Sequence, residues 1–188
     1  MRRVQAARRP DGQAVVYDRE LVGSLVSVAP PGRPAHSFGY TALDLRASYT
    51  PPPAVAGPTS PTQWSYDLDG QLATTTRPGG ATLTHGRDAA GRLSELAFAG
   101  GTVARTYHPT TGKLTSIAGP AGVDVSFSHD GELLTDVTWT GVISGTIHRV
   151  YDNDLKLAQE QVNGGHTVVF GRDPDGLLTS AGTAHPHA

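Results

Sequence analysis

The chain repeats itself. Six segments align on an aromatic residue or arginine, then an aspartate or its substitute, a glycine (Leu155 in the fifth) and a leucine: Tyr66-Asp67-Leu68-Asp69-Gly70-Gln71-Leu72, Arg87-Asp88-Ala89-Ala90-Gly91-Arg92-Leu93, Tyr107-His108-Pro109-Thr110-Thr111-Gly112-Lys113-Leu114, Phe127-Ser128-His129-Asp130-Gly131-Glu132-Leu133, Tyr151-Asp152-Asn153-Asp154-Leu155-Lys156-Leu157 and Arg172-Asp173-Pro174-Asp175-Gly176-Leu177-Leu178. The closing leucines stand at 72, 93, 114, 133, 157 and 178, a period of about 21 residues. Such a repeat governs every later inference, because one short unit cannot bury its own apolar face and must lean on its neighbours.

Each unit reads as a hairpin. Short β-type runs enter the signature, such as Val123-Asp124-Val125-Ser126-Phe127, and others leave it, such as Leu93-Ser94-Glu95-Leu96-Ala97-Phe98. Apolar and polar residues alternate in several of them, as a strand with one buried face requires. The aspartate can accept bonds from backbone N–H groups ahead of it, and the glycine can take positive φ in a tight turn. Further glycines between units, Gly79-Gly80, Gly100-Gly101, Gly119 with Gly122, Gly141 with Gly145 and Gly164-Gly165, reverse the chain again. Degenerate copies precede the six: Tyr17-Asp18 leading to Gly23-Ser24-Leu25, and His36-Ser37-Phe38-Gly39-Tyr40 leading to Leu43-Asp44-Leu45. The expected fold is all-β, with antiparallel hairpin repeats stacked edge to edge into a continuous sheet or partial solenoid. Residues 11–182 form this array, interrupted by a Pro-rich extended connector at 51–61. Residues 1–10 are expected to be a frayed basic end and 183–188 a disordered tail.

Leu, Ile, Val and Phe make up 39 of 188 residues, about 21%, so the core is expected to be thin. A net charge of −2 gives no basic excess for nucleic acid, and no 18-residue apolar run spans a membrane. The N-terminus lacks the apolar stretch of a signal peptide, and without cysteine there is no thiolate chemistry or disulfide framework.

The repeated Tyr-Asp-x-x-Gly-x-Leu pattern resembles the YD repeats of the rearrangement-hotspot (RHS) family, whose relatives include the teneurins and the shell subunits of insecticidal toxin complexes. The stretch Pro30-Pro31-Gly32-Arg33-Pro34-Ala35-His36-Ser37-Phe38-Gly39-Tyr40, continuing to Ala47-Ser48-Tyr49-Thr50-Pro51-Pro52-Pro53, is similar to one found in bacterial members. The resemblance implies a long spiralling sheet that curls, in full-length members, into a hollow shell around a toxic or adhesive payload. It also implies further YD repeats or such a payload as partners, and a place outside the cell or on its surface as part of a secreted bacterial protein. The chain is shorter than a closed shell needs, and no distinct C-terminal domain follows its last repeat. It therefore reads as a shell fragment.

Catalytic and metal chemistry find little support. The pairs Asp67/Asp69, Asp152/Asp154 and Asp173/Asp175 lack the remaining ligands of a calcium loop and read as turn residues. The eight histidines occupy no common phase of the repeat, and His185 and His187 sit on the expected tail. Asp173-Pro174-Asp175-Gly176-Leu177 matches the family's core-closing element only superficially and falls within the repeat register. No nucleophile elbow, phosphate loop or dinucleotide fingerprint is present. No cofactor, metal or catalytic residue is expected. Trp64 and Tyr66 share one face of a strand and, with Trp139, form a candidate stacking platform for a cell-surface glycan, against core packing as the other reading. Pro58 and Pro61 have the spacing of a polyproline ligand, against a connector. The leading expectation is a non-enzymatic scaffold or encapsulating wall segment. The alternatives are a glycan- or partner-binding module and a remnant without independent activity.

Overall fold

The computed structural model describes residues 3–53 and 60–183. Apart from a short 3-10 turn at Pro120–Gly122 its regular structure is all strand. The chain divides into two compact units, Met1–Arg92 with Leu96–Ala99, and Leu93–Glu95 with Gly100–Ala188. The first holds β1 (Arg3–Arg8), β2 (Ala14–Arg19), β3 (Leu25–Ala29), β4 (His36–Tyr40), β5 (Arg46–Thr50), β6 (Thr62–Tyr66), β7 (Leu72–Thr76) and β8 (Thr82–Arg87). β9 (Leu93–Phe98) lies at the division. The second unit continues with β10 (Gly101–Tyr107), β11 (Leu114–Ala118), β12 (Asp124–Asp130), β13 (Leu133–Thr140), β14 (Gly145–Tyr151), β15 (Leu157–Val162), β16 (Thr167–Arg172) and β17 (Leu178–Thr183). Within each unit every strand pairs antiparallel with its sequence neighbour, so both are hairpin meanders as the repeat predicts.

The register sorts side chains by face. In the first unit Ser48, Gln63, Thr76 and Thr82 stand opposite one another in a polar row, while Trp64, Thr75 and Leu83 form a row on the other face. In the second, Ser116, Ser126, Thr138 and Thr146 line the polar face, and Phe127, Val137 and Ile147 the apolar one. A two-layer domain would cover that apolar face with a second sheet or helix. Here Val26, 7% exposed, is the one buried apolar side chain among the described residues, so the thin core is a half-covered face.

Three expectations need correcting. Residues 3–8 are not frayed: β1 pairs along its whole length with β2, from Arg3 opposite Arg19 to Arg8 opposite Ala14. Its side chains are all exposed, so the backbone ladder holds it. The other two concern register. In the β6–β7, β10–β11, β14–β15 and β16–β17 hairpins the ladder slips by one residue just before the signature position, at Ser65/Tyr66, Thr106/Tyr107, Val150/Tyr151 and Gly171/Arg172. Such a bulge bends the strand and marks the position independently of residue type. In the β2–β3 hairpin it falls at Asp18/Arg19, so Arg19 and Glu20, not Tyr17 and Asp18, occupy the signature. In the β12–β13 hairpin it falls at Ser128/His129, which gives the aromatic position to His129 rather than Phe127 and the leucine position to Leu134 rather than Leu133. The cause is a shorter turn: only Gly131 and Glu132 separate the paired Asp130 and Leu133. The adjacent Asp130-Gly131 and Phe127, three residues before the aspartate, imitate a full-length signature.

The remaining 51–53 and 60–61 of the Pro-rich connector carry no regular structure, and Pro58 lies outside the described residues, as do His185 and His187 of the expected tail. Leu155 stands where other hairpins carry glycine and has φ 59. A left-handed backbone costs a non-glycine residue about 1–2 kcal/mol, against which glycine loses about 0.5–1 kcal/mol of chain entropy. Leu155 is 67% exposed, so little packing is at stake. Leu155→Gly is therefore expected to stabilise the protein by about 0.5–1 kcal/mol, seen as a higher denaturation midpoint at unchanged slope.

Candidate functional site

The signature is a set of hydrogen bonds. Asp67 N–H donates to Gln71 O at 2.9 Å and Gly70 N–H to Asp67 O at 3.1 Å, which closes the turn. The Asp67 carboxylate then accepts from the N–H groups of Asp69 and Gln71, at 3.0 and 2.8 Å. Asp88 does the same for Ala90 and Arg92, and Asp152 for Asp154 and Lys156. Asp173 accepts from Leu177 at 2.8 Å. Thr41 and His108 substitute for it, Thr41 through Oγ1 and His108 through Nδ1. The glycines supply the backbone: Gly70, Gly91, Gly112 and Gly176 all have φ between 73 and 81, and Gly131 has φ 53.

The aromatic position has a second role. Tyr40 OH donates to Leu25 O, Tyr66 OH to Arg46 O, Tyr107 OH to Leu93 O and Tyr151 OH to Leu134 O, at 2.7–2.9 Å. Leu25, Arg46 and Leu93 open the preceding hairpin's outgoing strand, and Leu134, the second residue of β13, holds the equivalent register position. Arg172 makes the corresponding reach to Leu157 O at 3.5 Å. The residue before the closing leucine completes the seam: Leu45 lies against Gly70, Gln71 against Gly91, Lys113 bonds Gly131 O, and Lys156 lies against Gly176. Neighbouring hairpins are thus clasped at their turn edge as well as through their ladders. The closing residues at 25, 46 and 72 in one unit, and 114, 134, 157 and 178 in the other, carry the period, and the long step from 46 to 72 accommodates the Pro-rich connector.

Trp64 and Tyr66 do share a face, half-buried, and with Arg46 and Leu72 they line an open depression of about 470 Å³. The Arg46 guanidinium lies 5.4 Å from the Phe38 ring centre, and Phe38 and His36 both stack on Tyr49. Trp139 is elsewhere, in the second unit, with its indole laid over Gly145 on the next strand.

One His–Asp pair escapes sequence reasoning because the partners meet across strands. His148 Nδ1 lies 2.7 Å from Asp136 Oδ1, and that hydrogen bond, with help from Thr135, holds the Asp136 carboxyl below its ordinary value. The side-chain hydrogen bond from Arg92 does the same for Asp88. A depressed carboxylate contributes stability above its unfolded value of about 3.9 and loses it as pH falls through the folded one. Both partners are substantially exposed, so the contribution is small. Asp136→Asn is expected to remove this small contribution at neutral pH while leaving stability at low pH nearly unchanged, which flattens the acid limb of a stability–pH curve. Among the described residues no three His, Asp or Glu side chains group around a metal position, and no helix is long and apolar enough to cross a membrane.

The model of a family described as Teneurin YD-shell matches residues 3–169. No curated protein matches the chain significantly in sequence. Among solved structures it superposes on the crystal structure of TcdB2-TccC3-TEV with a TM-score of 0.66 and 14% identity, over 95% of this chain and 11% of that one. TcdB2-TccC3 without its hypervariable C-terminal region gives the same values. The Photorhabdus luminescens Tc holotoxin pore gives a TM-score of 0.67 at 14% identity, over 96% and 12%. At that identity the likeness is one of fold, and the chain spans about a ninth of the length of these neighbours.

Proposed function

Because the chain belongs to the Teneurin YD-shell family, we propose that it serves as a length of wall in a larger hairpin shell of a secreted or cell-surface protein and performs no catalysis of its own. The observation that carries this reading is the one-sided sheet. Rows such as Phe127, Val137 and Ile147 form an apolar face that stays only half-buried among the described residues, while the opposite face carries the Ser/Thr rows and is suited to water. A wall segment has that division of faces, with its apolar side turned to an enclosed payload or to further wall. The turn-edge clasps fit the same role, since they fix each hairpin to the one before it. The test is electron microscopy of the protein purified from its source and decorated with an antibody fragment against the 3-10 turn at Pro120–Gly122. The fragment is expected on the outline of a closed hollow particle; an isolated 188-residue particle with no shell would overturn the proposal.

A second reading rests on the depression formed by Arg46, Trp64, Tyr66 and Leu72, which pairs an aromatic platform with a cation and suits a cell-surface glycan. Binding on a glycan array that disappears in a folded Trp64→Ala variant would favour recognition. Array signal unchanged by the substitution, or none, would leave the wall.

A further inference from the structure

Two signature positions are replaced by histidine in adjacent hairpins. His108 holds the aspartate position of the β10–β11 turn, and the register gives His129 the aromatic position of β12–β13. Between them lies Lys113, whose ammonium bonds Gly131 O and lies 2.9 Å from a Glu132 oxygen. These three side chains, with Thr111, Thr115 and Gly131, line one depression of about 160 Å³. That is well below the roughly 300–1,000 Å³ of pockets for larger organic ligands, so its occupant is small.

The hydrogen bonding fixes the sign of that occupant. His108 Nδ1 accepts from the N–H groups of Thr110 and Thr111, at 3.3 and 3.2 Å, so the neutral ring carries its proton on Nε2. The outward edge of the ring is then a donor. A metal-ligating histidine shows the reverse arrangement, with its second nitrogen donating to an acceptor and its free lone pair turned to the ion. The Lys113 side chain is only 17% exposed and adds a second donor with full charge. The carboxylate beside it belongs to Glu132, which is 93% exposed and free to swing into water.

We propose that this depression binds a small tetrahedral oxyanion, phosphate or sulfate, free or as the monoester of a larger molecule, with Lys113, His108 and His129 as its donors. The experiment is a titration of the full chain with inorganic phosphate and with O-phosphoserine, followed through the histidine ring signals by NMR. His108 and His129 are expected to shift together along one saturable curve. Charge-assisted donors set the sizes: Lys113→Gln should weaken binding about tenfold or more, and Glu132→Gln should tighten it by about threefold. His108→Asp installs the residue that Asp67, Asp88 and Asp152 supply at the same turn position, so it keeps the fold while removing binding. Lys156→Gln, at the equivalent position of a hairpin without the histidines, should change nothing. Tighter binding of the ester would assign the monoester as the source of the anion, and equal binding the free ion. Shifts that grow linearly, that chloride reproduces, or that survive Lys113→Gln would overturn the site.

Discussion

Gly145→Ala is expected to cost about 1–3 kcal/mol, the usual range for forcing extra volume into a packed position. Gly145 opens β14 directly opposite Trp139 on β13, and the indole occupies the space where a side chain would project. A Cβ there would run into the Trp139 ring and come within 2.6 Å of Asn163 Oδ1. Neither neighbour yields easily: Trp139 fills its own row on the apolar face, and Asn163 Oδ1 accepts from Thr146 N at 2.7 Å while its N–H donates to Thr146 O. An aromatic laid across a strand glycine recovers the packing that the missing side chain forgoes. The diagnostic is a double-mutant cycle. In a Trp139→Leu background the penalty of Gly145→Ala should fall by about 1 kcal/mol or more; equal penalties in both backgrounds would show that the ring is not what Gly145 accommodates.

The second large effect belongs to the signature aspartate. Asp152→Ala deprives the N–H groups of Asp154 and Lys156 of their acceptor, both at 2.9 Å. The arrangement is chemically that of a helix N-cap, and a loss of about 1–2 kcal/mol is expected. Asp152→Asn should retain most of the stability, because the acceptor is one side-chain oxygen that an amide also offers. If asparagine proved as damaging as alanine in chemical denaturation, charge rather than the turn bonds would explain the aspartate.

Legibility in the sequence followed the range of the chemistry. The turns around Asp67, Asp88 and Asp152 could be read directly, since their donors lie two and four residues from the acceptor. The tyrosine clasps could not. Their acceptors are main-chain carbonyls 14–20 residues back, and a carbonyl has no residue type. Register was misread in two hairpins: at Tyr17-Asp18, a Tyr-Asp pair standing two residues before the turn that Glu20 and Ser24 close, and at Phe127, where a shorter loop preserved the look of the signature while moving its geometry onto His129. Gly145 illustrates a different loss. Beside Gly141 it reads as a turn glycine, but its reason lies across the ladder in Trp139, which sequence alone offered as a candidate for stacking on a ligand. The depression stayed hidden for the same reason: only the bulge positions place His129 at the aromatic position, one step of the repeat from the aspartate position that His108 holds in the preceding hairpin.

The clasping tyrosine hydroxyls all reach back by one hairpin. Excising a whole cassette, or duplicating one in tandem, would therefore leave every hydroxyl with a carbonyl to meet, whereas gaining or losing half a cassette would strand one and turn the alternation of every later strand inside out. An architecture bonded in this way tolerates changes of length through recombination between its own copies, in whole steps near 21 residues, and resists almost any other insertion.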